Sequence, residues 1–254
     1  MNVTLENPEN VVNYVYWLEK PLTNFQIQLF KLSYLTCKSY GMLINIHCNK
    51  EFRELCEKEN IIPNCFFPLK ESSDIYFKTF WAYHKIKVYN SRPIGEWHLD
   101  IDAVFKERPI YYPSLDLQVA YFDNPNLKLG VISAPDDYII PVWAKGSLDG
   151  FNMSAVLFNN NTLKDIYCQH AFSFMRGNKV LDNGWKHMVF VEQSSLKQMV
   201  DYYKFSYKYI SEDINYYHLG AAKNTLTDKE KTEQLNKINN KIWQLSQPVM
   251  LESS

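Results

Sequence analysis

Extended runs rich in β-branched and aromatic residues alternate with stretches of helical period through the first 105 residues of this chain, and that alternation leaves few folds open. Val11-Val12-Asn13-Tyr14-Val15-Tyr16-Trp17 reads as a first strand. Residues 24–40 then carry Phe25, Leu29, Leu32 and Leu35 at helical spacing and close on Ser39-Tyr40-Gly41. Residues 42–48 read as a second strand and residues 50–59 as a short charged helix with Phe52 and Leu55 on one side, after which Ile61-Ile62-Pro63 restarts extended chain. The spacing of Phe77, Trp81, Ile86 and Val88 predicts a further helix over residues 74–89. Strand, helix, strand, helix is the rhythm of a mostly parallel sheet covered by helices.

Where that rhythm breaks stands Glu96-Trp97-His98-Leu99-Asp100-Ile101-Asp102-Ala103-Val104-Phe105. Asp100 and Asp102 are two apart, so on an extended strand both side chains leave from one face. Neither acid has a Lys or Arg as an immediate sequence neighbour, and two carboxylates held close repel unless a cation sits between them. In open α/β sheets ligands collect at the carboxyl ends of strands, where this pair is expected. The ordinary alternative is two acids facing water at a strand-to-loop junction.

Beyond Arg108-Pro109 the texture changes. Residues 117–121 read as a strand, followed by loops around residues 124–126 and 135–137. Gly150-Phe151-Asn152-Met153-Ser154 reads as a loop entering a short buried strand at residues 155–158. Residues 163–175 are expected to be helical. A second helix is expected to start at Glu192, and residues 207–217 to be strand or loop ending in His218. The Lys-, Glu- and Asn-rich tail has a modest apolar stripe at Leu235, Ile238 and Ile242. With no internal repeat and no linker, residues 1–226 are expected to form one catalytic domain and residues 227–254 a C-terminal helical appendage.

Composition excludes some classes. A formal net charge of -1 argues against a general nucleic-acid surface. The 5 cysteines show no C-x-x-C pair and no zinc spacing, which suits a reducing compartment. The polar first ten residues and the short apolar run after them do not make a secretory signal, and no run approaches a membrane span. The expectation is a cytoplasmic protein of unspecified oligomeric state, with peripheral membrane attachment left open.

Five segments, in this order, resemble a glycosyltransferase of the GT-A fold. They are Trp81-Ala82-Tyr83-His84-Lys85-Ile86, then His98-Leu99-Asp100-Ile101-Asp102, then Phe151-Asn152-Met153-Ser154-Ala155-Val156-Leu157, then Glu192-Gln193, and last His218-Leu219-Gly220-Ala221-Ala222-Lys223. An Asp-x-Asp element alone is weak, whereas its combination with a late His-x-x-Gly-x-x-Lys is far more specific. The late element resembles retaining transferases related to glycogenin and the bacterial galactosyltransferases. Those continue with Pro-Trp where this chain has Asn224-Thr225, which sets it in a divergent branch.

The resemblance implies an α/β fold with a mixed, mostly parallel central sheet flanked by helices. It implies transfer of a sugar from a nucleotide-diphosphate donor, a UDP-sugar first, to a glycan or small hydroxyl acceptor, with retention at the anomeric carbon or, if the enzyme inverts, with Glu192 as the general base. Asp100, Asp102 and His218 would hold Mn²⁺ or Mg²⁺, with Asp100 also reaching the ribose. Gly220 would let the backbone approach the phosphates, and Lys223 would sit beside the β-phosphate where charge grows. Lys85 would lie near donor phosphate or sugar hydroxyls, and Asn152 and Ser154 near the transferred sugar or the acceptor. Glu192 would orient or deprotonate the acceptor hydroxyl and Gln193 steady the anomeric centre. For the base, Tyr16 and Trp17 are the available aromatics, with Asn13 or Glu19 for a polar edge; nothing separates uridine from guanosine.

Each has a plainer alternative: Lys85 and Lys223 facing water, Trp17 in the core, Ser154 capping a turn, Glu192-Gln193 capping a helix. Two other classes compete. A nucleotidyltransferase normally shows a Gly-rich basic loop after its first strand, and Leu18-Glu19-Lys20-Pro21-Leu22 is not one. A non-catalytic scaffold has little reason to keep Asp100, Asp102, His218 and Lys223 together.

Overall fold

The computed structural model describes residues 7–77, 79–123, 139–144, 149–176, 178, 184–218 and 226–246. Its first strand, β1 (Val11–Tyr16), is followed by α1 (Asn24–Ser39), β2 (Leu43–Cys48), α2 (Lys50–Lys58) and β3 (Cys65–Pro68). α1 starts on a capping box: the Thr23 hydroxyl accepts from the Gln26 amide while the Gln26 side chain accepts from the Thr23 amide. Next come α3 (Tyr83–Ser91), β4 (Trp97–Leu99), β5 (Ala103–Phe105), β6 (Leu117–Asp123) and β7 (Gly150–Phe158). α4 (Asn161–Met175), capped by the Asn160 side chain, precedes α5 (Gly184–Val189), α6 (Ser195–Tyr203), β8 (Tyr207–Tyr209), β9 (Tyr216–His218) and α7 (Asp228–Ser246).

Seven strands form one sheet in the order β3-β2-β1-β4-β7-β6-β8. β1 runs parallel to β2 and β4, β2 to β3, and β6 to β8, while β7 runs antiparallel to both β4 and β6. The mixed, mostly parallel sheet flanked by helices that the resemblance implies is what forms. Among the described residues, no helix is long and apolar enough to cross a membrane. Cys37, Cys48, Cys56 and Cys168 are buried free thiols, and Cys65 is an exposed one.

The sheet has one apolar cluster built with α3, α4 and α6, and a second built with α1 and α2. Along β7 the alternation changes phase near Ser154: Phe151 and Met153 belong to the first cluster, Ala155 and Leu157 to the second. The break matches a register shift in the β6–β7 ladder between Val119 and Tyr121. α7 lies on α1, where Phe25, Leu29, Val104 and Ile238 make a third, smaller cluster joined by Leu235 and Ile242.

Several expectations are corrected. The helix predicted over residues 74–89 begins at Tyr83, because Ile75 pairs with Arg176 and a turn closed by the Tyr83 amide on the Phe80 carbonyl precedes it. Asn152 and Ser154 are inside β7, not in a loop before it, since residues 150–152 already pair with β6. Glu192 does not start a helix. A continuous helical stretch runs from Gly184 to Tyr203, with a π-helical turn at Phe190–Ser194 in its middle, so the capping role drops out. The loops expected around residues 124–126 and 135–137 lie outside the described residues.

Four histidines are held neutral. Burial pushes the imidazoles of His47, His84 and His170 from their usual 6.5 down to about 4, and holds His98 well below its usual value as well. Between pH 6.5 and 4 the unfolded chain therefore binds more protons than the folded one. Stability should fall as pH drops through that window, by up to about 1.4 kcal/mol per pH unit for each such histidine. Urea titrations at stepped pH check this; a flat midpoint between pH 7 and 5 refutes it.

Candidate active site

β1 is flanked by β2 on one side and β4 on the other, so the chain's strand order reverses there. Crevices open at the carboxyl ends of such strands. A cleft of about 470 Å³ occupies that position, lined by Tyr16 at the end of β1, Trp17 and Glu19 after it, Trp81 just ahead of α3, His84 and Lys85 from α3, Asp100 and Asp102 after β4, and Glu192.

Both acids lie in the turn between β4 and β5 rather than on a strand. The Asp100 amide donates to the Ser154 carbonyl at 2.8 Å, at the phase break of β7. The Ala103 amide closes the turn onto the Asp100 carbonyl at 3.1 Å. β5 then pairs antiparallel with β9, setting Ala103 opposite His218. α1 steadies the same strand, with the Ser33 hydroxyl donating to the Ala103 carbonyl at 2.5 Å. As a result, ligand atoms of Asp100, Asp102 and His218 lie within 4.8 Å of one another. His218 Nε2 stands 3.6 Å from Asp102 Oδ1, while its Nδ1 is 3.2 Å from the Tyr121 hydroxyl.

Two carboxylates and one imidazole make a donor set that fits a divalent cation with both oxygen and nitrogen affinity.

Lys85 corrects the electrostatic expectation. Its ammonium is 2.7 Å from Asp100 Oδ1 and 2.8 Å from Glu192 Oε1, with only 11% of the side chain exposed. Burial by itself would lower the Lys85 pKa, but the carboxylates of Asp100 and then Glu192 outweigh it and hold the group above the ordinary lysine range. Asp100 thus has a protein cation that its sequence neighbours do not reveal, and Lys85 faces neither bulk water nor a helix surface.

Glu192 projects from the π-helical turn, whose Ser195 amide bonds back to the Phe190 carbonyl. The Tyr167 hydroxyl donates to the Glu192 carbonyl at 3.0 Å. Gln193 does not line the cleft; its backbone packs against Gly150. Asn152 is also behind the wall, accepting from the Ser154 amide and hydroxyl and donating to Asp123 Oδ2 at 3.4 Å. The Ser154 hydroxyl also bonds the Tyr216 hydroxyl at 2.6 Å. Asn13 is fully buried in a network with Glu96, Asn45 and His47 and reads no ligand edge, whereas Glu19 does line the cleft. Gly220 and Lys223 lie outside the described residues.

Tyr16 leans on Phe52 at 4.8 Å between ring centroids, and Trp17 stacks on His84 at 4.6 Å and 10°. Phe77 lies nearly parallel to both, 5.1 Å from the His84 ring. His84 belongs to the Trp81–Ile86 segment and shares its wall with Trp17. Its ring is 3% exposed and both nitrogens are buried with no hydrogen-bond partner, in the wall of the cleft. Tyr121 carried no sequence signal at all, because its contact to His218 spans 97 positions.

No family model matches this chain, and no curated protein matches it. Among solved structures it is similar to the PaToxG glycosyltransferase, at 14% identity over 93% of this chain and 76% of that one, with a TM-score of 0.41. It is also similar to the CTP:phosphocholine cytidylyltransferase LicC from Streptococcus pneumoniae, at 13% identity, covering 90% and 98% of the two chains with a TM-score of 0.45. For HddC from Yersinia pseudotuberculosis the identity is 10%, the coverage 89% and 98%, and the TM-score 0.43.

A Cβ on Gly150 would meet the Gln193 carbonyl carbon at 2.7 Å and the Ser194 nitrogen at 2.8 Å, both backbone atoms. Gly150→Ala should therefore displace the turn that carries Glu192 and cost about 1–3 kcal/mol of stability in a denaturant titration; an unchanged midpoint contradicts that packing. His84→Phe removes two orphaned polar atoms while keeping the stack, so it should stabilise the ligand-free protein by about 1 kcal/mol or more. A lower melting temperature for this variant counts against the orphaned imidazole.

Proposed function

We propose that this chain is a metal-dependent glycosyltransferase of the GT-A type that moves a sugar from a nucleotide-diphosphate donor, a UDP-sugar first, to a hydroxyl acceptor. The observation that carries the reading is the convergence of Asp100, Asp102 and His218, with both acids lining a cleft whose walls also hold Trp17 and Glu192.

In this reading Asp100, Asp102 and His218 hold Mn²⁺ or Mg²⁺, which when bound supplies Lewis-acid stabilisation of charge on the departing diphosphate. Trp17, open to the cleft and backed by His84, offers a face for the base, and Glu19 a polar edge beside it. Lys85 fixes the carboxylates of Asp100 and Glu192 relative to each other, so the donor end and the acceptor end of the cleft keep one geometry. With Glu192 Oε1 engaged by Lys85, Oε2 accepts the hydrogen bond of the acceptor hydroxyl and sets its approach to the anomeric carbon. Gly220 and Lys223 keep their proposed places along the diphosphate, and Asn152 and Gln193 act from behind the wall by holding Ser154 and the Glu192 turn. Retention at the anomeric carbon belongs to this proposal.

Calorimetric titration with UDP and GDP, each with and without Mn²⁺, tests it. Binding of one nucleoside diphosphate should depend on Mn²⁺ and weaken at least about tenfold in Asp102→Ala. Glu192→Gln should keep that binding and lower transfer or slow donor hydrolysis by about 10²–10⁴-fold. Binding of a nucleoside triphosphate with release of pyrophosphate would instead make the chain a nucleotidyltransferase, and no nucleotide binding with any metal would make it a scaffold.

A further inference from the structure

Within the metal-dependent reading above, we propose that Tyr121 is a positioning residue that holds His218 in its metal-binding tautomer and thereby biases the site toward a first-row cation over Mg²⁺. A neutral imidazole carries one N–H, and a cation at Nε2 requires that proton to be on Nδ1. The Nδ1–H then needs an acceptor, which is the task metal-bound histidines commonly give to a neighbouring oxygen. The Tyr121 hydroxyl oxygen is 3.2 Å from Nδ1, while Nε2 faces the acids, 3.6 Å from Asp102 Oδ1. The orientation is therefore already the one in which Nε2 presents its lone pair to the cluster.

The phenol is well anchored for that work. Its ring packs half-buried against the cluster of α1 and α2. The rings of Tyr121 and His218 are tilted by 46° with centroids 6.4 Å apart, so the contact between them is the hydroxyl, not a stack. Tyr121 also stands at the far side of the β6–β7 register shift, opposite Asn152, and a break of this kind re-aims side chains next to a site. Two neighbouring strands thus serve the two halves of the cluster: β7 holds the Asp100 backbone through the Ser154 carbonyl, and β6 holds His218 through Tyr121. Mg²⁺ takes oxygen ligands, whereas an imidazole suits first-row transition cations, so loss of the nitrogen ligand falls mainly on the latter.

The test is Mn²⁺ and Mg²⁺ binding to the full chain, its Tyr121→Phe variant and its His218→Ala variant, with pulsed electron paramagnetic resonance of bound Mn²⁺. Tyr121→Phe keeps the ring and loses the hydroxyl. It should weaken Mn²⁺ binding by about 10–100-fold, approaching His218→Ala, with Mg²⁺ affinity within about threefold of the parent chain. The imidazole nitrogen coupling seen in the parent spectrum should fade in Tyr121→Phe. Unchanged Mn²⁺ affinity and coupling overturn the role of Tyr121 and leave the metal site standing. Equal weakening of both cations also overturns it, since that is what a loosened strand would do. Absence of Mn²⁺ binding in the parent chain overturns the metal reading, and this inference with it.

Discussion

The site exists because β5 pairs with β9. Asp102 ends the turn whose next residue, Ala103, is bonded across to His218, so an imidazole more than a hundred positions away is delivered beside two acids by backbone hydrogen bonds alone. The supports around the pairing share one direction: Ser33 on the Ala103 carbonyl, Ser154 on the Asp100 amide, Tyr121 on the imidazole. Each fixes a backbone or ring position a few ångströms from the cluster, which is what preorganisation requires of a supporting shell.

Charge in the cleft is arranged around a buried ammonium. Lys85 is almost wholly buried beside two carboxylates, and it can stay charged there only because both are within hydrogen-bond reach. The pairing ties Glu192, on a π-helical turn at the centre of one helical stretch, to Asp100, on a turn after β4. Excess backbone in a helix is costly and is found mostly where a side chain must be aimed. Here the aimed side chain is Glu192, and Gly150 leaves the room the turn needs.

The strand–helix alternation in the first half was legible because its apolar periods are undisturbed, and β1, α1, β2 and α2 form at or within a residue or two of the expected bounds. Residues 74–82 carry helical spacing too, yet Ile75 is drawn into a bridge with Arg176, a partner about a hundred positions away that no local pattern can announce. A helix is expected to start at Glu192; the position is instead inside a π-helical turn of a longer helical stretch. Asp100, Asp102, His218 and Glu192 were readable by residue type and order. Their geometry was not, because the Lys85 ion pairs and the Tyr121–His218 hydrogen bond are all long-range.

Two strands of three residues each do not hold together unaided in water. What shields the outer side of this ribbon is the layer of Phe25 and Leu29 from α1 with Ile238 from α7, closed over Val104 and Tyr217 and fastened by the Tyr217 hydroxyl donating to Gln234 at 3.2 Å. A chain cut ahead of Asp228 would retain every cleft-lining side chain and still strip the roof from the strands that bring acid and imidazole together. The last helix lines no part of the cleft and nonetheless backs the strands that bring Asp102 and His218 together.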